Sequence, residues 1–203
     1  MRARFFAGFL TAGALAAGLA LAQDKPAEKK AKPGAMDEKA MHEMMMKAAT
    51  PGDNHKKLEG FVGNWDVKVK MWMDPSKPAE ESAGTAESTW VLGNRFVQEK
   101  FQGTFMGQPF SGMGYTGYDN VMKKYVGTWM DTMSTGVMTS KGTMAGNAMT
   151  ATASMSDPMT GKTSNATMKV TMTDNDHHTM EMWGPGPNGK NYKMMEITYT
   201  RKS

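Results

Sequence analysis

Three carboxylates and one guanidinium stand in otherwise apolar, alternating segments of the chain. If the faces that carry them point into a protein interior, charges of both signs would meet there and satisfy one another, as buried charges must. A mostly apolar pocket with a few such groups is the usual form of a small-molecule site. Each face could equally be the solvent side, because a one-residue shift of register exchanges the two faces of a strand. The candidate residues are Arg95, Glu99, Asp131 and Glu181, and Trp129 shares the face of Asp131.

The same carboxylates also suit acid–base chemistry. Two of Glu99, Asp131 and Glu181, held near one cavity, could act as general acid and base in a hydrolase or isomerase. No serine–histidine–aspartate elbow, phosphate-cradling loop or zinc-spaced histidine set accompanies them. We therefore expect a non-enzymatic protein without a cofactor and keep the enzyme as an alternative.

The stretch "MHEMMMK" gathers soft thioethers around one imidazole, a donor set that suits Cu(I) or Ag(I). The same spacing also makes the apolar face of an ordinary helix, and we favour that packing interpretation. We therefore expect no resident metal, and a soft ion, if one binds, would use His42, Met41 and Met45 within residues 41–46. The adjacent His177 and His178 point to opposite faces of a strand, so they cannot readily chelate one ion.

The composition excludes further classes of function. The chain has 24 methionines and no cysteine, so it has no disulfide framework, thiolate metal site or cysteine nucleophile. Its formal net charge is only +4, and no basic stripe with interleaved aromatic residues accompanies that charge. We expect no nucleic-acid partner.

The residues that must position these groups alternate as in β-strands. In "WDVKVKM", Trp65, Val67 and Val69 share one face, and the charged residues share the other. Turn-forming residues separate about ten such segments by short connections, apart from a longer one after the first. Because closure removes exposed edges, we expect an all-β, single antiparallel up-and-down barrel rather than a sandwich. The predicted spans are 65–72, 83–92, 95–105, 109–119, 124–132, 135–144, 148–155, 162–173, 177–184 and 190–201.

Methionine replaces the usual valine and leucine on the apolar faces of the late strands, and its flexible, polarizable side chain adapts to irregular shapes. A lumen lined in this way could hold a small apolar or amphipathic molecule. The predicted lining includes Met168, Met172, Met195, Ile197 and Tyr199.

The N-terminal segments differ in composition from the predicted barrel, residues 53–203. Residues 1–22 carry Arg2 and Arg4, an apolar run and a small-residue cleavage pattern, which together indicate a signal peptide and an exported, periplasmic or secreted protein. No later segment is apolar enough to span a bilayer. Residues 23–35 are a lysine-, alanine- and proline-rich tether, and residues 36–50 are a methionine-rich amphipathic helix.

A short helix at residues 53–62, then Gly63-Asn64-Trp65, and an arginine near the end of the last strand together resemble the closed end of calycin barrels such as lipocalins. That resemblance implies that the helix closes one end and that Arg201 packs on Trp65. The phrases "LGNRF", "MGQPF", "GYDN", "TWMDTMSTG" and "MEITYTR" resemble a bacterial family of domains of unknown function, over roughly residues 55–201. This family resemblance implies a calycin-like barrel and no assigned activity.

Overall fold

The first predicted strand shows the alternation that its sequence indicates. In β1 (Gly63–Met71), Trp65 and Val67 are each 1% exposed, whereas Asp66 and Lys68 are exposed. The computed structural model describes residues 37–186 and 189–203. The predicted signal peptide and tether lie outside the described residues.

Ten strands follow one another around a closed antiparallel barrel, each paired with its neighbours in sequence. The first strand closes the barrel by pairing with the last, with Trp65 opposite Arg201. The all-β up-and-down barrel is therefore confirmed. The other strands are β2 (Glu80–Val91), β3 (Phe96–Phe105), β4 (Gln108–Asp119), β5 (Lys124–Asp131), β6 (Met138–Ala145), β7 (Ala148–Asp157), β8 (Lys162–Met172), β9 (His177–Pro185) and β10 (Asn191–Arg201).

The turn between β2 and β3 sets where β3 begins. Leu92, Gly93 and Asn94 have φ values of 51°, 63° and 61°. This left-handed run disfavours most side chains other than glycine and asparagine. The chain resumes an extended conformation at Phe96, so Arg95, predicted as a strand residue, belongs to the turn.

Two short helical elements cover the end of the barrel at which β1 begins. They are α2 (Asp53–Lys56) and the 3₁₀ helix Glu59–Phe61, and they replace the single predicted helix at residues 53–62. Leu58 between them is fully buried, and His55 is 5% exposed. The predicted helical closure of one end is present.

The methionine-rich helix α1 (Glu38–Ala49) has no buried residue. Met41, Met44, Met45 and Met46 are between 49% and 64% exposed. The packing role that the sequence favoured for this face is therefore wrong for the described residues. The side chain of Asn120 holds the end of the helix by donating hydrogen bonds to the carbonyls of Ala48 (3.0 Å) and Thr50 (2.8 Å). Within residues 37–186 and 189–203, no helix combines the length and apolarity needed to cross a bilayer.

Candidate functional site

The floor of the barrel is an aromatic and cationic cluster around Trp65. The guanidinium of Arg201 lies over the Trp65 ring, 4.2 Å from its centroid. The same guanidinium donates hydrogen bonds to the carbonyls of Val62 (2.8 Å) and Gly60 (3.3 Å), which belong to the closing segment. The predicted contact between Trp65 and Arg201 is present and ties the first strand, the last strand and the helical closure together.

His178 is buried within this floor. Its ring stacks on Tyr199, with 4.1 Å between centroids, and meets the rings of Trp65 and Phe61 edge-on. Its Nδ1 has no hydrogen-bond partner among the described residues. Burial and, to a lesser extent, the nearby Arg201 lower the pKa of His178 to about 4. The imidazole is therefore neutral near pH 7. Sequence spacing showed only that His177 and His178 face opposite ways and gave no sign of this burial.

Above the floor, Glu99 carries an isolated carboxyl group on the inner face of β3. Its cross-strand neighbours are Ser88 and Gly114. The hydroxyl of Tyr199 donates a hydrogen bond to its Oε1 at 3.3 Å. Burial raises the pKa of Glu99 to about 7, and the Tyr199 hydrogen bond opposes part of that rise. Burial also raises the pKa of Tyr199, with a further contribution from the Glu99 charge. The predicted inward orientation of Glu99 and Tyr199 is present.

Several side chains that face the lumen retain accessible surface. Cross-strand neighbours share a face, so the register places Val69, Ile197, Met180 and Trp129 on the same inner face as Val67 and Tyr199. These side chains are only half-buried, although strands surround them. The upper lumen therefore contains space that its own side chains do not fill. A recess of about 280 Å³ lies at its mouth; Met71, Glu80, Ser82 and Phe105 are among its lining residues.

A row of methionines crosses four adjacent strands on this inner face. Met168 is opposite Met182, Met182 is opposite Met195, and Met195 is opposite Met71. Met182 is 5% exposed, and the other three are half-buried. The predicted methionine lining at Met168 and Met195 is thus inward-facing. Met182 and Met71 complete the row through registers that the sequence does not encode locally.

Met172 does not line the upper lumen as predicted. It is the last residue of β8, it pairs with His178, and the end of its side chain packs against Gly60 of the closing segment. The physical reason is its position, because β8 ends at the closed end of the barrel. Met172 therefore contributes to the floor.

Arg95 does not meet Glu99. Its Nη1 donates to the carbonyl of Leu92 at 3.0 Å, within the turn before β3. Burial lowers the pKa of His55 at the closed end, and the positive charge of Arg95 adds to that lowering. The predicted lumenal charge pair is therefore wrong, and Glu99 has no cationic partner from Arg95.

Glu181 faces outward, contrary to the hypothesis of three inward carboxylates. Its Oε1 lies 2.8 Å from Nζ of Lys193. Lys193 sits beside the rings of Trp72 and Trp183, 5.9 Å and 5.7 Å from their centroids. The ion pair lowers the pKa of Glu181 and raises that of Lys193. Glu181 thus belongs to an outer-face cluster, and the enzyme hypothesis loses one of its three carboxylates.

Asp131 has the inward orientation of Trp129 but sits at the open end of β5. It accepts hydrogen bonds from Nε1 of Trp129 at 3.0 Å and from the backbone N–H of Met133 at 2.9 Å. Glu99 and Asp131 are opposite Gly114 and Gly112, two residues apart on the intervening strand β4. Glu99 and Asp131 therefore lie at different levels of the lumen. For this reason they do not form an adjacent acid–base pair.

Comparisons with known proteins agree with the barrel and assign it no ligand. The chain belongs to the family described as "Protein of unknown function (DUF1579)", whose model matches residues 50–201, and this confirms the predicted family. The crystal structure of Rv2717c from M. tuberculosis aligns with a TM-score of 0.53 and 13% identity, over 76% of this chain and 100% of that chain. That similarity concerns the fold alone. A redesigned β-barrel, b11L5F_LGL, aligns with a TM-score of 0.41 and 14% identity, over 72% of this chain and 96% of that chain. No curated protein matches the chain.

Proposed function

We propose that this chain is an exported, non-enzymatic barrel that binds a small apolar or amphipathic molecule in its upper lumen. The observation that carries the proposal is the partly exposed, mostly apolar inner face around the carboxyl group of Glu99. A small barrel with a purely structural role fills its interior with its own side chains, whereas an apolar pocket with few polar groups is typical of ligand sites. The export component rests on the sequence of residues 1–22.

The methionine row supports a ligand of adaptable shape. Met168, Met182 and Met195 are unbranched and polarizable, and such side chains rearrange around different ligands at little cost. Opposite them, Phe101 and Trp129 supply aromatic walls on β3 and β5. The lumen therefore offers one flexible wall and one flat wall.

A tryptophan placed in the upper lumen should block binding. Val69 faces inward between Ile197 and Ser82, and a Val69→Trp substitution would fill the space beside them. We expect the affinity for Nile red, a neutral lipophilic fluorophore, to fall by about tenfold or more, because displaced apolar contacts are worth about 1.5–3 kcal/mol per side chain. The measurement is a fluorescence titration of the mature protein.

Lys68→Trp is the matched control for this test. Lys68 is the neighbouring residue of β1 and faces solvent. The Lys68→Trp variant adds the same indole to the outer face. Its affinity for Nile red should equal that of the unmodified protein. If Nile red binds Val69→Trp and Lys68→Trp with the same affinity, the upper lumen is not the binding site.

A second candidate function is soft-metal binding by α1, and the exposure of its methionines favours it. Met41 and Met45 are one turn apart and about half or more exposed, and His42 lies beside them on the exposed helix. The described residues contain no group of three or more His, Cys, Asp or Glu side chains that could hold a metal. A soft ion would therefore depend on thioethers, which suit Cu(I) and Ag(I).

Removing two of the four thioethers of α1, those at Met41 and Met45, tests this candidate. Met41→Leu combined with Met45→Leu preserves apolar volume and should abolish one equivalent of Ag(I) uptake in a calorimetric titration if α1 holds the ion. The control pair, Met106→Leu with Met159→Leu, changes two exposed methionines outside α1. Equal uptake by both double variants and the unmodified protein would leave α1 without a metal role.

A further inference from the structure

The inner face of the barrel carries an excess of negative charge. Glu99 lies in mid-lumen, Asp131 lies near the mouth, and Glu80 at the mouth faces the recess beside Met71. On the described strands, two cationic side chains share this inward orientation. One is Arg201, which donates hydrogen bonds to the floor, and the other is Lys162, the exposed first residue of β8, which lies opposite Asp157 in the strand register. Among the described residues, no lysine or arginine forms an ion pair with Glu99, Asp131 or Glu80.

The remaining lysines of the strands point outward. Lys68, Lys100, Lys141 and Lys169 are all exposed on the outer face, and Lys193 pairs with Glu181 there. The outer face therefore carries charges of both signs, including Glu87 opposite Lys100 and Glu181 beside Lys193, whereas the inner face around Glu99 carries carboxylates. A ligand that enters the lumen meets carboxylates, thioethers and aromatic rings.

We infer that the ligand of this lumen is a lipophilic cation, such as a long-chain amine whose ammonium group pairs with Glu99. This inference rests on the proposed binding function and specifies its ligand class. The alkyl portion would lie along the methionine row, and the ammonium group would replace the missing positive partner of the carboxylate. A fatty acid would place a second carboxylate beside Glu99, which is unfavourable in a low-dielectric interior.

The hydrogen bonding of Glu99 leaves it free to bind such a group. A carboxylate can accept about four hydrogen bonds, and the Tyr199 hydroxyl supplies the one that the described residues give to Glu99. Ser88 and Gly114, its neighbours on the flanking strands, carry no charge. An ammonium group has three donors, so the two groups are chemically complementary.

The walls favour a cation over a neutral molecule of the same shape. Trp129 and Phe101 pack in the same cluster of the upper lumen, and aromatic faces attract cations. Asp131 and Glu80, nearer the mouth, would raise the local concentration of an incoming cation by the same electrostatics. These features add to the attraction of Glu99, whose carboxyl group lies deeper in the lumen than those of Asp131 and Glu80.

The affinity of an amine should rise with pH. The groups that face Glu99 are the Tyr199 hydroxyl on β10 and, behind it, the neutral His178 on β9, while Asp131 on β5 lies nearer the mouth. Burial raises the pKa of Glu99 to about 7, so its carboxylate form is abundant at pH 8 and scarce at pH 5.5. Because an ammonium group prefers the carboxylate form, binding should strengthen across that interval.

The experiment compares dodecylamine, dodecanol and dodecanoate as competitors of Nile red, each below its aggregation concentration. At pH 8 we expect dodecylamine to displace the fluorophore at a concentration about tenfold or more below that of dodecanoate, since buried charge pairs contribute on this scale. At pH 5.5 the advantage of dodecylamine should shrink. Glu99→Gln should abolish the advantage at both pH values while retaining Nile red binding.

Glu87→Gln serves as the matched control. Glu87 is exposed on the outer face of β2, next to Ser88 and opposite Lys100, and its replacement should leave the preference for dodecylamine unchanged. If Nile red and dodecanol bind but dodecylamine has no advantage, or keeps it in Glu99→Gln, the cation inference is overturned and the binding function stands. If none of the probes binds the unmodified protein, the proposed binding function itself fails.

Discussion

Replacing Trp65 by alanine should lower the free energy of unfolding by about 3–5 kcal/mol, the range for large core truncations. Trp65 is 1% exposed and contacts His178 and Tyr199 edge-on. Its indole N–H donates a hydrogen bond to the carbonyl of Phe61 at 3.0 Å, and Arg201 lies on its face. One substitution therefore creates a cavity, frees a buried acceptor and removes a cation–π contact at the seam where β1 meets β10. Urea denaturation followed by circular dichroism measures the loss.

Trp72→Ala is the internal comparison, because it removes the same side chain just beyond the same strand. Trp72 is half-buried, and its ring lies beside Lys193 on the outer surface. We expect a loss of about 1 kcal/mol, as for a partly exposed site with one cation–π contact. Equal losses for the two variants would contradict the register in which Trp65, and not Trp72, anchors the floor.

Much of this architecture is readable from sequence, because strand alternation and turn chemistry are local properties. The β1 pattern separates two faces clearly, since apolar and charged residues alternate over the seven residues 65–71. Glu99 was placed correctly by its phase with Val97 and Phe101. The pairing of Trp65 with Arg201 followed from resemblance to closed calycin barrels.

The incorrect assignments share a physical cause, which is that a side chain's surroundings depend on distant strands. Glu181 was a candidate for the interior because it shares a strand face with Trp183, yet that tryptophan lies on the outer surface beside Lys193. A register shift between Lys193 and Met195 changes the phase of β10 there. The assignment of Arg95 to a strand failed because the left-handed run from Leu92 to Asn94 delays the start of β3 to Phe96. The row from Met168 to Met71 required registers between four strands, which no local pattern provides.

The second large prediction concerns the half-buried Glu99 and the buried His178, whose pKa values are shifted in opposite directions. The pKa of Glu99 is raised from 4.5 to about 7, so the folded state holds a proton that the unfolded state has released between these values. The contribution of Glu99 to the free energy of unfolding is greatest below pH 4.5. It decreases as the pH rises toward 7 and stays constant above that pH. The total change is about 3 kcal/mol at 1.36 kcal/mol per pKa unit.

His178 acts in the reverse sense. Its pKa is lowered from 6.5 to about 4. Between these two pH values, the unfolded state binds a proton that the folded state does not bind. Stability from this group is full above pH 6.5 and is lost as pH falls toward 4, again by about 3 kcal/mol. Between pH 4.5 and 6.5 the two slopes have opposite signs and similar size. For these two groups the net dependence of stability on pH should therefore be close to zero in that window.

Replacing one of the two groups should reveal how the other makes the free energy of unfolding depend on pH. In Glu99→Gln the free energy of unfolding should rise by about 3 kcal/mol from pH 4 to 6.5, because His178 then titrates without opposition. In His178→Phe, which keeps an aromatic ring against Tyr199, it should fall by a similar amount from pH 4.5 to 7. The double variant should keep only the pH dependence common to all four proteins, which comes from the other carboxylates and from His55, whose pKa burial also lowers. Urea midpoints collected at half-unit intervals of pH provide the curves, and parallel curves for the two single variants would show that neither group is buried as described.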